Sequence, residues 1–187
     1  MWLVVGLGNP GREYAQNRHN AGFLVVDEVA RRARLDGFRA KFGGEIVSGE
    51  VAGQKVALLK PMEFMNVSGR AVQRTAAFYQ IEPKEMIVVH DEIDLPLGTL
   101  RVKVGGGHAG HNGVRSIIQD VGSPEFVRIR CGVGKRGQAA SHVLGDFAKG
   151  ERTEVDIMIQ IAADAVEDVL RRGPLLAMNK YNVKDKD

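Results

Sequence analysis

His19 is the residue with the clearest chemical potential, and it stands between Arg18 and Asn20 just before a stretch with helical periodicity. A lone histidine in such a place is usually a surface residue beside a helix cap. Asp91 changes this interpretation, because it follows a short apolar run where a carboxylate is costly to bury unless it serves a partner. A histidine paired with a carboxylate is held in one tautomer and is a stronger general base. The sequence has no Gly-x-Ser-x-Gly nucleophile motif, so such a base would activate water directly.

Four asparagines stand at predicted turns or helix starts, and two roles are open to them. Asn20, Asn66 and Asn112 each precede a helical segment, where asparagine commonly caps the helix, and Asn9 lies in a Gly-Asn-Pro-Gly turn. If the loops converge, the same side chains could donate amide hydrogens to a carbonyl or its developing oxyanion. Capping is the commoner role, and the residues alone leave both open.

The spacing of glycines and of histidines suggests two other ligand sites, but the neighbouring residues argue against both. The glycines from Gly6 to Gly11 match the Gly-x-Gly-x-x-Gly dinucleotide fingerprint, but Pro10 removes an amide donor and no helix begins close behind. His108 and His111 have a spacing that could suit a metal, but no carboxylate-rich segment accompanies them. The glycine-rich loop around them could instead cradle a phosphate with backbone amides. We therefore expect no nucleotide cofactor and no metal.

Composition and charge favour one globular domain over residues 1–187, with 44% hydrophobic and 26% charged residues. The net charge of +3 is too small to indicate a partner, but residues 101–136 carry seven basic and two acidic side chains. That segment is either a solvated face or a phosphate-contacting patch. The single cysteine, Cys131, excludes an internal disulfide, and neither a secretory signal nor a membrane-spanning run is recognisable. A cytoplasmic protein without a membrane partner is expected.

Alternating helix and strand patterns predict the elements that position these residues. Strands are predicted at 2–5, 45–52, 55–60, 86–89, 100–104 and 126–133, and helices at 21–34, 67–79, 114–121 and 151–172. The expected fold is α/β, a single domain with a mixed, largely parallel twisted sheet and helices on both faces. Because ligands bind at the carboxyl ends of such strands, the loops after Val5, Val89 and Val104 should gather at one edge. Residues 134–149 are expected to form a mobile loop and residues 183–187 a frayed tail.

Five segments resemble, in order and at matching spacing, the bacterial-type peptidyl-tRNA hydrolases. They are GLGNPGREYAQNRHNAGF, KPMEFMNVSGRAV, VVHDEIDLPLG, GGGHAGHNGVRSI and FVRIRCGVG. The resemblance implies an enzyme that cleaves the ester between a peptide and the 3′ ribose of tRNA, recycles the tRNA, needs no cofactor or metal and works as a monomer. The alternative is a non-catalytic RNA-binding relative of the intron-splicing type, which would keep the basic surface without needing the catalytic set.

Roles for the hydrolytic residues follow from the same resemblance. His19 corresponds to the catalytic base, Asp91 to the aspartate that orients it, and Asn9 to a residue beside the scissile carbonyl. Asn66 and Asn112 correspond to residues that hold the peptide and the attacking water.

The resemblance also implies contacts with the two ends of the substrate. Tyr14 is expected near the tRNA 3′ end and Met65 in the wall on the peptide side. Lys103 and Arg130, with Arg101 as a weaker candidate, match basic positions that hold the 5′ phosphate region of tRNA.

Overall fold

A computed structural model describes residues 1–11, 17–134, 145–146 and 149–182 of the protein. The strands are β1 (Trp2–Gly6), β2 (Arg39–Lys41), β3 (Gly44–Val51), β4 (Gln54–Pro61), β5 (Met86–Glu92), β6 (Leu100–Val104) and β7 (Val127–Gly132). The helices are α1 (Ala21–Arg32), α2 (Gly69–Tyr79), α3 (Asn112–Val121), α4 (Arg152–Arg172) and α5 (Pro174–Tyr181). Short 3-10 turns at Arg18–Asn20 and Met65–Val67 precede α1 and α2.

The strands form one mixed sheet in the order β2-β3-β4-β1-β5-β7-β6. Parallel pairing joins β4, β1, β5 and β7, whereas β2, β3 and β6 pair antiparallel at the two sides. The predicted α/β fold with a mixed sheet is confirmed, with the parallel pairing confined to the four central strands. Carboxyl ends of those strands share one edge, which is the usual ligand edge of an α/β sheet.

Helices cover both faces of the sheet, as predicted. Along β5, Ile87 and Val89 pack into a cluster with α1 and α4, while Met86 and Val88 pack into a second cluster with α2 and α3. The alternation follows from the two-residue period of a strand. None of the helices that the structure describes is long and apolar enough to cross a membrane.

Element boundaries differ from the prediction in three places. β5 continues to Glu92, so Asp91 lies inside a fully buried strand and not after it. β2 and α5 were not predicted, and Pro174, interpreted as a helix stop, is the first residue of α5, a position that proline favours. The expected mobile loop at 134–149 falls largely, and the tail at 183–187 wholly, outside the described residues.

The loop after β6 begins at the opposite edge of the sheet from the one expected. Leu100 pairs with Cys131 and Val104 with Val127, so β6 runs antiparallel to β7 and Val104 lies at the amino end of its neighbour. Residues 105–111 then run back along the sheet until His111 reaches Asp91. The prediction about the start of this loop was wrong, because it assumed that β6 runs with the central strands.

Candidate active site

Close backbone packing brings the first turn of α1 to the carboxyl ends of β1 and β5. A Cβ atom on Gly22 would lie 2.4 Å from both the Leu7 nitrogen and the Val89 oxygen. One on Gly6 would lie 2.2 Å from the Gly22 oxygen. Gly6, which had suggested a nucleotide loop, therefore serves helix packing. This packing places the buried His19 beside the end of β5.

The structure brings His19 and Asp91 together, with Nδ1 of the ring 2.8 Å from Oδ1 of the carboxylate. Both side chains are almost fully buried, at 9% and 1% exposure. An ionised carboxylate can only accept, so Nδ1 carries the proton and donates it. The Nε2 lone pair of His19 is then left to act as a base.

His111 is bonded to the same carboxylate oxygen in the opposite tautomer. Its Nε2 lies 2.7 Å from Asp91 Oδ1, while its Nδ1 accepts from the backbone amides of Gly113 and Val114 at 3.1 and 3.2 Å. Protonating Nδ1 would remove the cap of α3 and place a positive charge at a helix N-terminus, where it is unfavourable. His111 is thereby held as a neutral hydrogen-bond donor. Sequence reasoning weighed it only as a metal ligand, although its place just before a helix was a signal for capping.

Asp91 stays ionised because of these two partners. Burial alone would raise the pKa of this carboxyl, but the electrostatic interactions and hydrogen bonds that it makes with the rings of His111 and His19 outweigh burial and leave its pKa well below the ordinary value. A fixed negative charge beside His19 would stabilise an imidazolium formed there.

The same three side chains form the cluster best suited to a metal among the described residues. The candidate ligand atoms of His19, Asp91 and His111 lie within 4.8 Å of one another. A metal-bound histidine normally donates its other ring N–H to a nearby acceptor, but the other nitrogen of His111 is itself an acceptor. The donor set therefore fits a hydrogen-bond network better than a metal.

Asn9 and Asn20 form a reciprocal pair that fixes the first loop. Asn9 N donates to Asn20 Oδ1 at 2.7 Å, and Asn20 Nδ2 donates to the Asn9 carbonyl at 3.1 Å. Asn9 Oδ1 accepts the backbone amide of Met65 at 2.7 Å. The orientation of the Asn9 amide is thus set, with Nδ2 as the donor that remains for a ligand.

Helix capping by asparagine, the commoner role expected, is contradicted. The Asn20 side chain makes no cap hydrogen bond to α1. Asn66 lies inside the Met65–Val67 turn, and Asn112 is the first residue of α3, whose cap is His111. For Asn20, the local capping propensity is overridden by its partner Asn9 in another loop.

Met65 joins the two segments that carry the remaining asparagines. It is 4% exposed, and a Cβ on Gly113 would lie 2.5 Å from its Sδ, so the Met65 turn packs directly on the first turn of α3. Asn66 and Asn112 adjoin these two residues and are both exposed. Tyr14 lies outside the described residues.

The predicted tRNA-contacting residues share one face of β6 and β7. Arg101 lies opposite Arg130 and Lys103 opposite Arg128, so two pairs of like charges are neighbours across the strands. Such pairs are destabilising unless an anion or acid compensates them. Arg130 is partly compensated, since its Nε and Nη2 both lie 2.9 Å from Glu92 Oε1. Arg101 and Lys103 extend the positive face beyond this ion pair.

Comparison with known proteins identifies the family of this chain. Residues 3–187 match the family described as peptidyl-tRNA hydrolase. A peptidyl-tRNA hydrolase of Sorangium cellulosum is 51% identical over all of this chain and 86% of its own length, and one of Leifsonia xyli is 47% identical over 97% of each. A crystal structure of peptidyl-tRNA hydrolase from Acinetobacter baumannii superposes with a TM-score of 0.91 at 41% identity, covering 98% of this chain and 95% of that one. The chain therefore belongs to the peptidyl-tRNA hydrolase family.

Proposed function

We propose that the protein hydrolyses the ester between the peptide and the 3′ ribose of peptidyl-tRNA and so returns the tRNA for reuse. The observation that carries this proposal is the 2.8 Å bond from His19 Nδ1 to Asp91, which leaves Nε2 as a base beside polar loops. Family membership supports the substrate.

The proposed reaction begins with a water molecule between His19 Nε2 and the ester carbonyl. Nε2 takes a proton as the water oxygen attacks, and the imidazolium is stabilised by Asp91. Asn9 Nδ2 donates to the oxyanion, because its Oδ1 is already occupied by Met65. When the tetrahedral intermediate collapses, the ribose 3′ oxygen leaves with the proton from Nε2. The products are a peptide acid and a free ribose hydroxyl.

We propose different roles for the two histidines that share Asp91. His19 transfers the proton, because among the described residues its only side-chain hydrogen bond is through Nδ1, and Nε2 has none to lose. His111 holds the carboxylate still and remains neutral, because its Nδ1 is bound by two backbone amides. Asn66 and Asn112, which are exposed and adjoin Met65 and His111 in the chain, are proposed to hold the peptide and the water.

A non-catalytic RNA-binding protein of this fold would need the positive face but not a buried, ionised Asp91. The retained set of Asn9, His19, Asn66, Asp91 and Asn112 favours the enzyme. The deciding experiment measures release of tRNA from an N-acylated aminoacyl-tRNA by the purified protein, with and without EDTA. We expect multiple turnovers that EDTA leaves unchanged. Binding of tRNA without release would favour the alternative, and loss of activity in EDTA would contradict the metal-free mechanism.

We propose that Lys103, Arg130 and Arg101 hold the 5′ phosphate region of the tRNA. Each phosphate contact should contribute about −0.7 to −0.9 to the slope of log affinity against log salt concentration. Lys103→Ala should weaken binding and reduce the slope by about one contact, with turnover at saturating substrate little changed. Lys84→Ala is the matched control, because this exposed lysine precedes the amino end of β5, away from the site. Equal salt-dependence slopes for Lys103→Ala and Lys84→Ala would show that the basic face of β6 and β7 is solvated and does not contact phosphate.

We further propose that the protein acts as a monomer in the cytoplasm, where its tRNA substrate is made. Sedimentation at micromolar concentration should give a single species of about the 20.4 kDa chain mass. A concentration-dependent dimer would contradict the monomer.

A further inference from the structure

Arg128, in β7, is a buried cation that the proposed reaction does not use. It is 2% exposed, and no carboxylate of the described residues forms an ion pair with it. Burial and the neighbouring Arg130 lower its pKa, opposed by Glu92. A guanidinium nevertheless stays protonated in proteins, so the cost of burying it has to be offset by its hydrogen bonds.

One of these hydrogen bonds runs to the strand that carries Asp91. Arg128 Nε lies 3.2 Å from Nε2 of His90, a residue with no exposed surface. A guanidinium can only donate, so His90 Nε2 must accept and His90 Nδ1 must carry the ring proton. Nδ1 lies 2.7 Å from the main-chain oxygen of Asp91, to which it therefore donates. The direction of both hydrogen bonds is fixed by the arginine.

The other hydrogen bond runs to the loop that carries His111. Arg128 Nη1 donates to the Gly107 carbonyl at 2.7 Å, midway along residues 105–111. The ring of His90 also meets the ring of His111 edge-on, with centroids 4.8 Å apart. Arg128 thus connects the two segments whose side chains meet at the Asp91 carboxylate.

We propose that Arg128 and His90 are positioning residues that fix the His111 loop against the end of β5, and so hold Asp91 Oδ1 in place for His19. The inference rests on the proposed hydrolysis, and neither side chain is required to touch the substrate. A lysine at position 128 would keep the charge but could not replace the forked pair of bonds.

The test uses three variants of Arg128 and His90, each of which removes a different combination of these hydrogen bonds. Arg128→Lys removes the pair of hydrogen bonds that the guanidinium donates to His90 and to the Gly107 carbonyl. His90→Gln keeps an acceptor near the former Nε2 but loses the donor to Asp91, whereas His90→Asn keeps that donor and loses the acceptor. Val127→Ala is the control, because Val127 is equally buried but packs on the opposite face of β7. Each is assayed for kcat and KM, for thermal unfolding, and by ¹⁵N NMR of the imidazole rings.

For the three test variants we expect kcat to fall by about tenfold or more with KM within about threefold, since small displacements of reacting groups cost up to about 10²-fold in rate. The Nε2–H signal of His111 should broaden or exchange faster with solvent. Val127→Ala should lower the unfolding temperature and leave kcat and the His111 signal unchanged. His90→Asn should add little to Arg128→Lys, because both break the same link.

The proposal is overturned if the test variants, like Val127→Ala, lose only thermal stability and keep the wild-type kcat and His111 signal. Poor folding of Arg128→Lys would not prevent the test, because the two His90 variants keep the arginine. If the wild type itself fails to hydrolyse peptidyl-tRNA, the proposed function is wrong. The NMR signal of His111 would then still report whether Arg128 and His90 position it.

Discussion

His111 performs two separable tasks, and replacing it with alanine or with asparagine should separate their energies. Nδ1 accepts the amides of Gly113 and Val114 and caps α3, while Nε2 donates to the buried Asp91. Losing a helix cap costs about 0.5–2 kcal/mol. Losing a hydrogen bond to a charged group costs about 1.5–3 kcal/mol. His111→Ala loses both and should destabilise by about 2–5 kcal/mol.

Asparagine is among the best N-cap residues but is too short to reach Asp91 as the imidazole does. His111→Asn should therefore keep the cap and lose about 1.5–3 kcal/mol, which leaves it about 1 kcal/mol more stable than His111→Ala. The measurement is urea-induced unfolding of both variants at pH 7, with slopes compared to check that unfolding remains two-state.

The control is the same pair of changes in an Asp91→Asn background. With the charge removed, the hydrogen bond from position 111 becomes a neutral one of about 0.5–1.5 kcal/mol, so the effect of His111→Asn should shrink by about 1 kcal/mol or more. Equal stabilities of His111→Ala and His111→Asn would refute the capping role. A wild-type stability for His111→Asn would refute the stabilising bond to Asp91.

Three further changes test the packing and electrostatics of the site. Gly22→Ala should cost about 1–3 kcal/mol or more in thermal unfolding, because its Cβ would lie 2.4 Å from two backbone atoms. Gly150→Ala, whose Cβ would have no atom of the described residues within 4 Å, should be nearly neutral. Equal effects would contradict the close approach of α1. The pKa of Asp91 is lowered from 3.8 by its histidine partners, so its charge stabilises the fold above pH 3.8. Asp91→Asn should therefore be less stable than wild type at pH 7, and the difference should narrow as the pH falls below 3.8. A difference that does not depend on pH would contradict an ionised Asp91 held by these histidines. Burial, with the charge of Asp91, raises the pKa of the Cys131 thiol to about 12. Iodoacetamide at pH 8 should therefore alkylate Cys131 only when the protein unfolds. Rapid alkylation of the native protein would contradict a buried thiol.

Hydrophobic periodicity was sufficient to predict most of the fold, because each long element carries a continuous apolar face. β2 was missed because all three of its residues are exposed and carry no apolar pattern. α5 was missed because Pro174 was interpreted as the stop of the preceding helix, whereas that helix ends at Arg172 and Pro174 is the first residue of α5.

In the site, Asp91 could be located from the sequence because a carboxylate beside a buried apolar run needs a partner, and His19 because it lies just before a segment with helical periodicity. The role of His111 was not readable, since it depends on the antiparallel direction of β6 and on which ring nitrogen meets which partner. The pairing of Asn20 with Asn9 could not be predicted either, because Asn9 lies in another loop and the contact depends on how the two loops pack.

The most direct test of the mechanism is the single-turnover rate of peptidyl-tRNA hydrolysis by His19→Ala, measured with enzyme in excess so that binding does not limit it. Loss of a general base should lower this rate by about 10²–10⁴-fold. Affinity for tRNA and the unfolding temperature should stay close to wild type. A rate within a few-fold of wild type would show that another group removes the proton from water, and would contradict the role of His19.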